Sequence, residues 1–218
     1  MNVDLQRIDD IRLMRVIKSK IYRLWYGKPI VLVSGLPRSG TSMIMQMLEK
    51  GGLEVVTDKL RKADDDNPKG YYEYEPVKDL DKEGDKSWLR HQKGKVIKII
   101  SFLLNHLPLD LNYKVVFIER NLDEILASQN KMLTHRGEYG EIVSDEKMKR
   151  NYTNHLLRVK YLLNHTPNFD TLYLQHYDLL ISPEEQAVRI NQFLGYRLNV
   201  EAMSYVVDNG LYRNRAKG

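Results

Sequence analysis

Apolar positions along the chain switch repeatedly between a helical and a strand-like period. Residues 4–26 carry Leu5, Ile8, Ile11, Val16, Ile17, Ile21 and Leu24 at roughly helical spacing, with Arg7, Arg12, Arg15, Lys18 and Arg23 between them. That pattern predicts an N-terminal amphipathic helix over 1–27, packed on the domain; a membrane-surface helix is the other reading. Residues 29–34 then form an apolar run rich in β-branched side chains that ends at Gly35, the mark of a buried strand feeding a loop. Further strands are expected at 95–100, 113–119 and 171–176, with a weaker one at 53–56. Helices are expected at 41–50, 76–89, 121–135, 145–164 and 183–193. Strands alternating with helices mean βαβ units, hence an α/β fold with a mainly parallel central sheet and helices on both faces.

Composition narrows the class. At 218 residues, with no internal repeat or low-complexity linker, the chain reads as a single domain over 1–218. Thirty-four Lys and Arg against 29 Asp and Glu leave a formal net charge of +5, which suits a domain that captures an anionic ligand. The basic residues are interleaved with acids rather than clustered, so nucleic acid is not the expected partner. There is no cysteine, which removes disulfides, thiolate metal sites and a cysteine nucleophile together. Neither a signal peptide nor an integral membrane segment is recognisable, and a cytoplasmic location is expected. Residues 61–70 are strongly polar and read as a surface loop or lid. Counted as a calcium loop from Asp64, that stretch puts Pro68 and Lys69 where a ligand and a glycine are needed, and the six histidines lack paired ligand spacing. No metal is expected.

The first strand runs into Gly35-Leu36-Pro37-Arg38-Ser39-Gly40-Thr41-Ser42, followed by a helix with Met43, Ile44, Met47 and Leu48 on one face. Strand, glycine loop and helix N-terminus together make an anion site, because backbone N–H groups and the positive end of the helix dipole converge there. Gly35 and Gly40 keep the gap of a P-loop, which points to a P-loop NTPase-like three-layer sandwich, yet Thr41 stands where the P-loop lysine belongs. The loop suits a phosphate-like group better than a magnesium-bound triphosphate. A second anion site follows the strand at 113–119, where Arg120 projects at its carboxyl end. Asn121 is the expected N-cap of the next helix, with Glu124 completing a capping box. Ser128 lies about two turns beyond Asn121, on the same face. Two anion sites on one sheet imply a nucleotide with phosphates at both ends of its ribose.

On these two motifs the sequence resembles the sulfotransferase family, enzymes that use 3′-phosphoadenosine 5′-phosphosulfate. The family's phosphosulfate loop, Pro-Lys/Arg-Ser-Gly-Thr, stands here as Pro37-Arg38-Ser39-Gly40-Thr41, with Ser42 beside it. Its 3′-phosphate motif, an arginine and a serine eight positions on, matches Arg120 and Ser128, with Leu122 in place of a frequent proline. The resemblance implies transfer of a sulfuryl group to a hydroxyl or amine by in-line displacement, with no metal required. It gives Arg38 and Lys98 the developing charge on the leaving phosphate. The histidine of the cytosolic branch is replaced by Ile100, so the base is expected among the carboxylates of 67–75, Glu73 first and Glu75 second. A late strand similar to the family's Tyr-Glu-Asp-Leu brings Tyr177 toward the adenine, with His176 and Tyr177 replacing the first pair. Arg213 or Arg215 in the tail is expected to fold back onto the 3′-phosphate. Small-molecule, carbohydrate, lipid, phenol and peptide acceptors all stay open, as does the oligomeric state. Two rivals remain: a phosphotransferase using ATP and Mg²⁺, and a non-catalytic nucleotide-binding module.

Overall fold

Ile30–Gly35 (β1) is buried along its whole length, as a strand must be when both faces are covered. A computed structural model describes residues 21, 24–58, 60, 70–137, 144–195 and 197–207. Within them β1 leads to α1 (Thr41–Lys50), β2 (Val55–Val56), β3 (Val96–Lys98), β4 (Tyr113–Glu119), α2 (Leu122–Arg136) and α3 (Asp145–His165). The chain continues with β5 (Phe169–Gln175), α4 (His176–Ile181), α5 (Pro183–Leu194) and α6 (Val200–Ser204). The strands form one five-stranded sheet in the order β2-β3-β1-β4-β5, and each pairing is parallel.

The pleat sorts side chains into two cores. Ile30 and Leu32 of β1 join Tyr113, Val115 and Phe117 of β4 on one face, under Val159 and Leu163 of α3. Val31 and Val33, with Val116 and Ile118, point the other way, against Ile44 and Leu48 of α1 and Ala187 and Ile190 of α5. Alternate residues thus face opposite layers, which gives the expected three-layer sandwich. Strand order reverses at β1, and ligands in open parallel sheets bind outside the carboxyl ends of the strands at such a point.

One expected element is absent. Residues 76–89 form no α-helix; two 3-10 helices, Glu75–Asp79 and Ser87–Gln92, flank a turn. Gly84 interrupts the apolar spacing, and Asp85 takes both the Ser87 N–H at 2.8 Å and the Ser87 hydroxyl at 2.6 Å. Local side-chain bonds of this kind compete with a helix ladder. Strand 95–100 shortens to β3 because the chain turns at Ser101 into a further 3-10 helix, Ser101–His106. Most of the N-terminal amphipathic segment, the polar loop 61–69, Arg213 and Arg215 lie outside the described residues.

Candidate functional site

The phosphate loop leaves β1 and enters α1 through backbone that glycine makes possible. Gly40 is the N-cap, at φ 105°, and no side chain caps the helix. The first turn of α1 also contains no acidic residue. An uncapped, carboxylate-free N-terminus fits a bound anion. A Cβ on Gly35 would lie 2.6 Å from the Ile118 carbonyl and from Ser39 Oγ, and one on Gly40 would lie 2.7 Å from His176 Cδ2. Both glycines therefore let the loop press against the ends of β4 and β5. Pro37 and Arg38 are half-buried at the loop's turn, while Ser39 and Thr41 are buried.

The second site is built differently from its sequence expectation. Asn121 Oδ1 accepts the Asp123 N–H at 2.8 Å, as an N-cap should. Glu124 instead turns Oε2 on Arg120, whose Nε donates to it at 2.9 Å, with both side chains at most 10% exposed. With a filled cap and two carboxylates in its first turn, the N-terminus of α2 offers an anion little. The positive and hydroxyl groups sit on the loop side. Arg120 Nη1 donates to the Arg38 carbonyl at 3.2 Å, and Arg38 Nε donates to the buried Ser128 Oγ at 3.0 Å. The two motifs, 82 and 90 residues apart in their contacts, thus form one hydrogen-bonded network.

Three more candidates gather beside it. Lys98 Nζ, at the end of β3, donates to the Tyr71 carbonyl, and Ser42 Oγ donates to the same oxygen at 3.4 Å. That places the segment carrying Glu73 against the loop. Glu73 is half-buried, whereas Glu75 is exposed and paired with Lys78 at 2.8 Å. Tyr177 lines a cleft of about 650 Å³ together with Arg120, Asn121, Glu124, Leu156 and His176, at the ends of β4 and β5.

His176 carries a structural duty that the sequence reading did not assign. Its ring lies against Gly40, and burial first, then the Arg120 charge, pushes its pKa down to about 4. The imidazole is therefore neutral and adds no third positive charge beside Arg38 and Arg120. Its position directly after β5, at a strand's carboxyl end, is the signal that finds it. That is the rule that singles out Arg120 after β4.

A parallel sheet with an uncapped glycine loop after its central strand defines an anion-binding α/β protein of the P-loop-like kind. Within that class, the sulfotransferase domain model matches residues 28–215, and the chain belongs to this family. Similar solved structures include a mouse sulfotransferase, SULT7A1, complexed with PAP, at 14% identity over 87% of this chain and 68% of that one, TM-score 0.52. Retinol dehydratase in complex with androsterone and PAP is 19% identical over 90% of this chain and 68% of that one, TM-score 0.46. A sulfotransferase from Alicyclobacillus acidocaldarius is 13% identical over 77% and 81%, TM-score 0.48. No curated protein matches the chain in sequence.

Proposed function

We propose that the chain transfers a sulfuryl group from 3′-phosphoadenosine 5′-phosphosulfate to a hydroxyl or amine of a small-molecule acceptor, through the residues gathered around the phosphate loop. The observation that carries this reading is the network joining Arg38, Ser128, Arg120 and Glu124, which ties a loop anion site to a second cationic site one strand away. The donor supplies an activated sulfuryl group, whose bond to the leaving phosphate breaks as the acceptor's bond to sulfur forms.

Each residue then has a part. Pro37, Ser39, Gly40, Thr41 and Ser42 shape the loop and present its N–H and hydroxyl groups to the phosphosulfate. Arg38 and Lys98 face the charge that gathers on the leaving phosphate. Arg120 and Ser128 take the 3′-phosphate, and Glu124 fixes the Arg120 guanidinium by accepting from its Nε. Tyr177 borders the space for the adenine, and Arg213 is a further candidate for the 3′-phosphate. Glu73 accepts the acceptor's proton on its carboxylate. Its partial burial and its tie to the loop favour it over Glu75, which Lys78 already engages. A cysteine-free chain suits work in the cytoplasm.

Calorimetric titration with adenosine 3′,5′-bisphosphate and with adenosine 5′-monophosphate tests the two-site reading. The wild-type chain should prefer the bisphosphate by at least tenfold, since a charge-assisted contact contributes roughly 1.5–3 kcal/mol. The double variant Arg120→Ala/Glu124→Gln, which leaves no unpaired buried charge, should lose most of that preference. Equal binding of both nucleotides by the wild type would remove the second site.

A further inference from the structure

The segment that carries Glu73 is anchored across the phosphate loop and α1. The Tyr71 carbonyl accepts from both Lys98 Nζ and Ser42 Oγ. The Tyr72 phenol donates to Glu49 Oε2, near the far end of α1, at 2.7 Å. The Glu73 carbonyl accepts from Thr57 Oγ1 at 2.9 Å and from the Asp58 N–H at 3.2 Å. Between these anchors Tyr72 is held at φ 52°. A residue with a Cβ stays in that region only when its surroundings over-determine it. Among the described residues Arg38, at φ 68°, is the other non-glycine case, so both strained positions flank one site.

Lys98 and Ser42 are two of the groups that should meet the donor's phosphosulfate. Both donate to one backbone oxygen, which carries partial negative charge as a ligand oxygen would. We propose that Tyr71 and Tyr72 are positioning residues for the transfer: the Tyr71 carbonyl holds Lys98 and Ser42 until the donor takes them, and the strained segment then shifts and sets the Glu73 carboxylate. This inference rests on the sulfotransferase reading of the site. Two features make the mechanism economical. Glu73 is only two residues from the carbonyl that is displaced, so a small backbone rotation there is felt at the carboxylate. The bond from Tyr72 to Glu49 supplies the restoring force, because it opposes the release that the strain at Tyr72 favours. Burial, then the Glu49 carboxylate, raises the phenol well above its ordinary pKa, so it stays a donor across the working pH range.

Hydrogen exchange on the full chain, with and without adenosine 3′,5′-bisphosphate, reads the shift directly. The Asp58 amide, which donates to the Glu73 carbonyl, should exchange several-fold faster when the bisphosphate is bound. Tyr72→Phe keeps the ring and removes the bond to Glu49. It should bind the bisphosphate about threefold more tightly while kcat falls several-fold, because the segment releases more easily and holds Glu73 less well. Glu49→Gln, a second route to the same weakened anchor, should move both quantities in the same directions. A merely structural tyrosine would weaken binding or leave both unchanged. Bisphosphate binding with an unchanged or slower Asp58 amide, and no split between affinity and kcat, overturns this inference and leaves the donor reading intact. No bisphosphate binding by the wild type overturns both.

Discussion

Glu73 and Glu75 lie two residues apart in surroundings that give them different chemistry. Glu73 sits half-buried on the segment fastened to the phosphate loop, while Glu75 spends its charge on Lys78 in solvent. Glu73→Gln should lower kcat by 10²–10⁴, the usual contribution of a positioned base, and leave bisphosphate affinity within about twofold. Glu75→Gln should stay near wild type in both. Single-turnover assays with the donor bound check this, and wild-type turnover by Glu73→Gln would remove it as the base. His176 yields a pH prediction. Its folded-state pKa, about 4, lies below the ordinary 6.5, so the unfolded chain binds more protons between those values. Stability should therefore be full above about pH 6.5 and fall as the pH drops toward 4, by up to about 3 kcal/mol from this group. His155, bonded to Ser101 Oγ at 2.9 Å, is lowered by burial and then by Arg158, and adds in the same direction. Melting temperature against pH should flatten over that window in His176→Gln.

At the scale of elements, the phosphate loop depends on the fit of Gly40 against α4. Gly40→Ala meets both a φ of 105° and the His176 ring, and should cost about 2 kcal/mol or more. Adding His176→Ala should relieve the ring contact and recover only part of that loss, because the backbone cost stays; complete recovery in chemical denaturation would show that the ring alone matters. The elements differ in how readable they are. β1 and β4 are long apolar runs buried on both faces, so the sequence marks them well. β5 begins two residues earlier than its apolar pattern suggests, because Phe169 and Asp170 pair with Tyr113 and Lys114, and register with a neighbour leaves no local trace. The missed helix at 76–89 shows charge and helix-forming composition overruled by Gly84 and by the Asp85–Ser87 bonds. For the site, the placement of the two motifs was legible because each follows a strand, and the structure joins them in one hydrogen-bonded network. The pairing of Glu124 with Arg120 was not, since a capping box and an i,i+4 ion pair make the same sequence pattern. Nor was the tie from Lys98 to Tyr71, which joins residues 27 apart through a backbone atom.

Across the whole molecule, the two cores and the strand order bring loop, Glu73 segment and cleft to one edge of the sheet. β1 supplies the loop, β3 ends in Lys98, β4 ends before Arg120 and β5 ends before His176 and Tyr177. Because all five strands are parallel, every one of these residues emerges on the same side, which is how a 218-residue chain assembles the site from dispersed positions. No described helix is long and apolar enough to cross a membrane. The central claim is that this edge binds a nucleotide with separate 5′ and 3′ phosphates. Thermal unfolding with adenosine 3′,5′-bisphosphate, against ATP plus Mg²⁺ at matched concentration, tests it most directly. At a hundredfold excess over the dissociation constant, bound ligand adds about 2.7 kcal/mol, which at this size raises the midpoint by about 5–10 °C. The account predicts that rise with the bisphosphate and none with Mg-ATP. A rise with Mg-ATP alone would contradict it and make the loop that of a phosphotransferase.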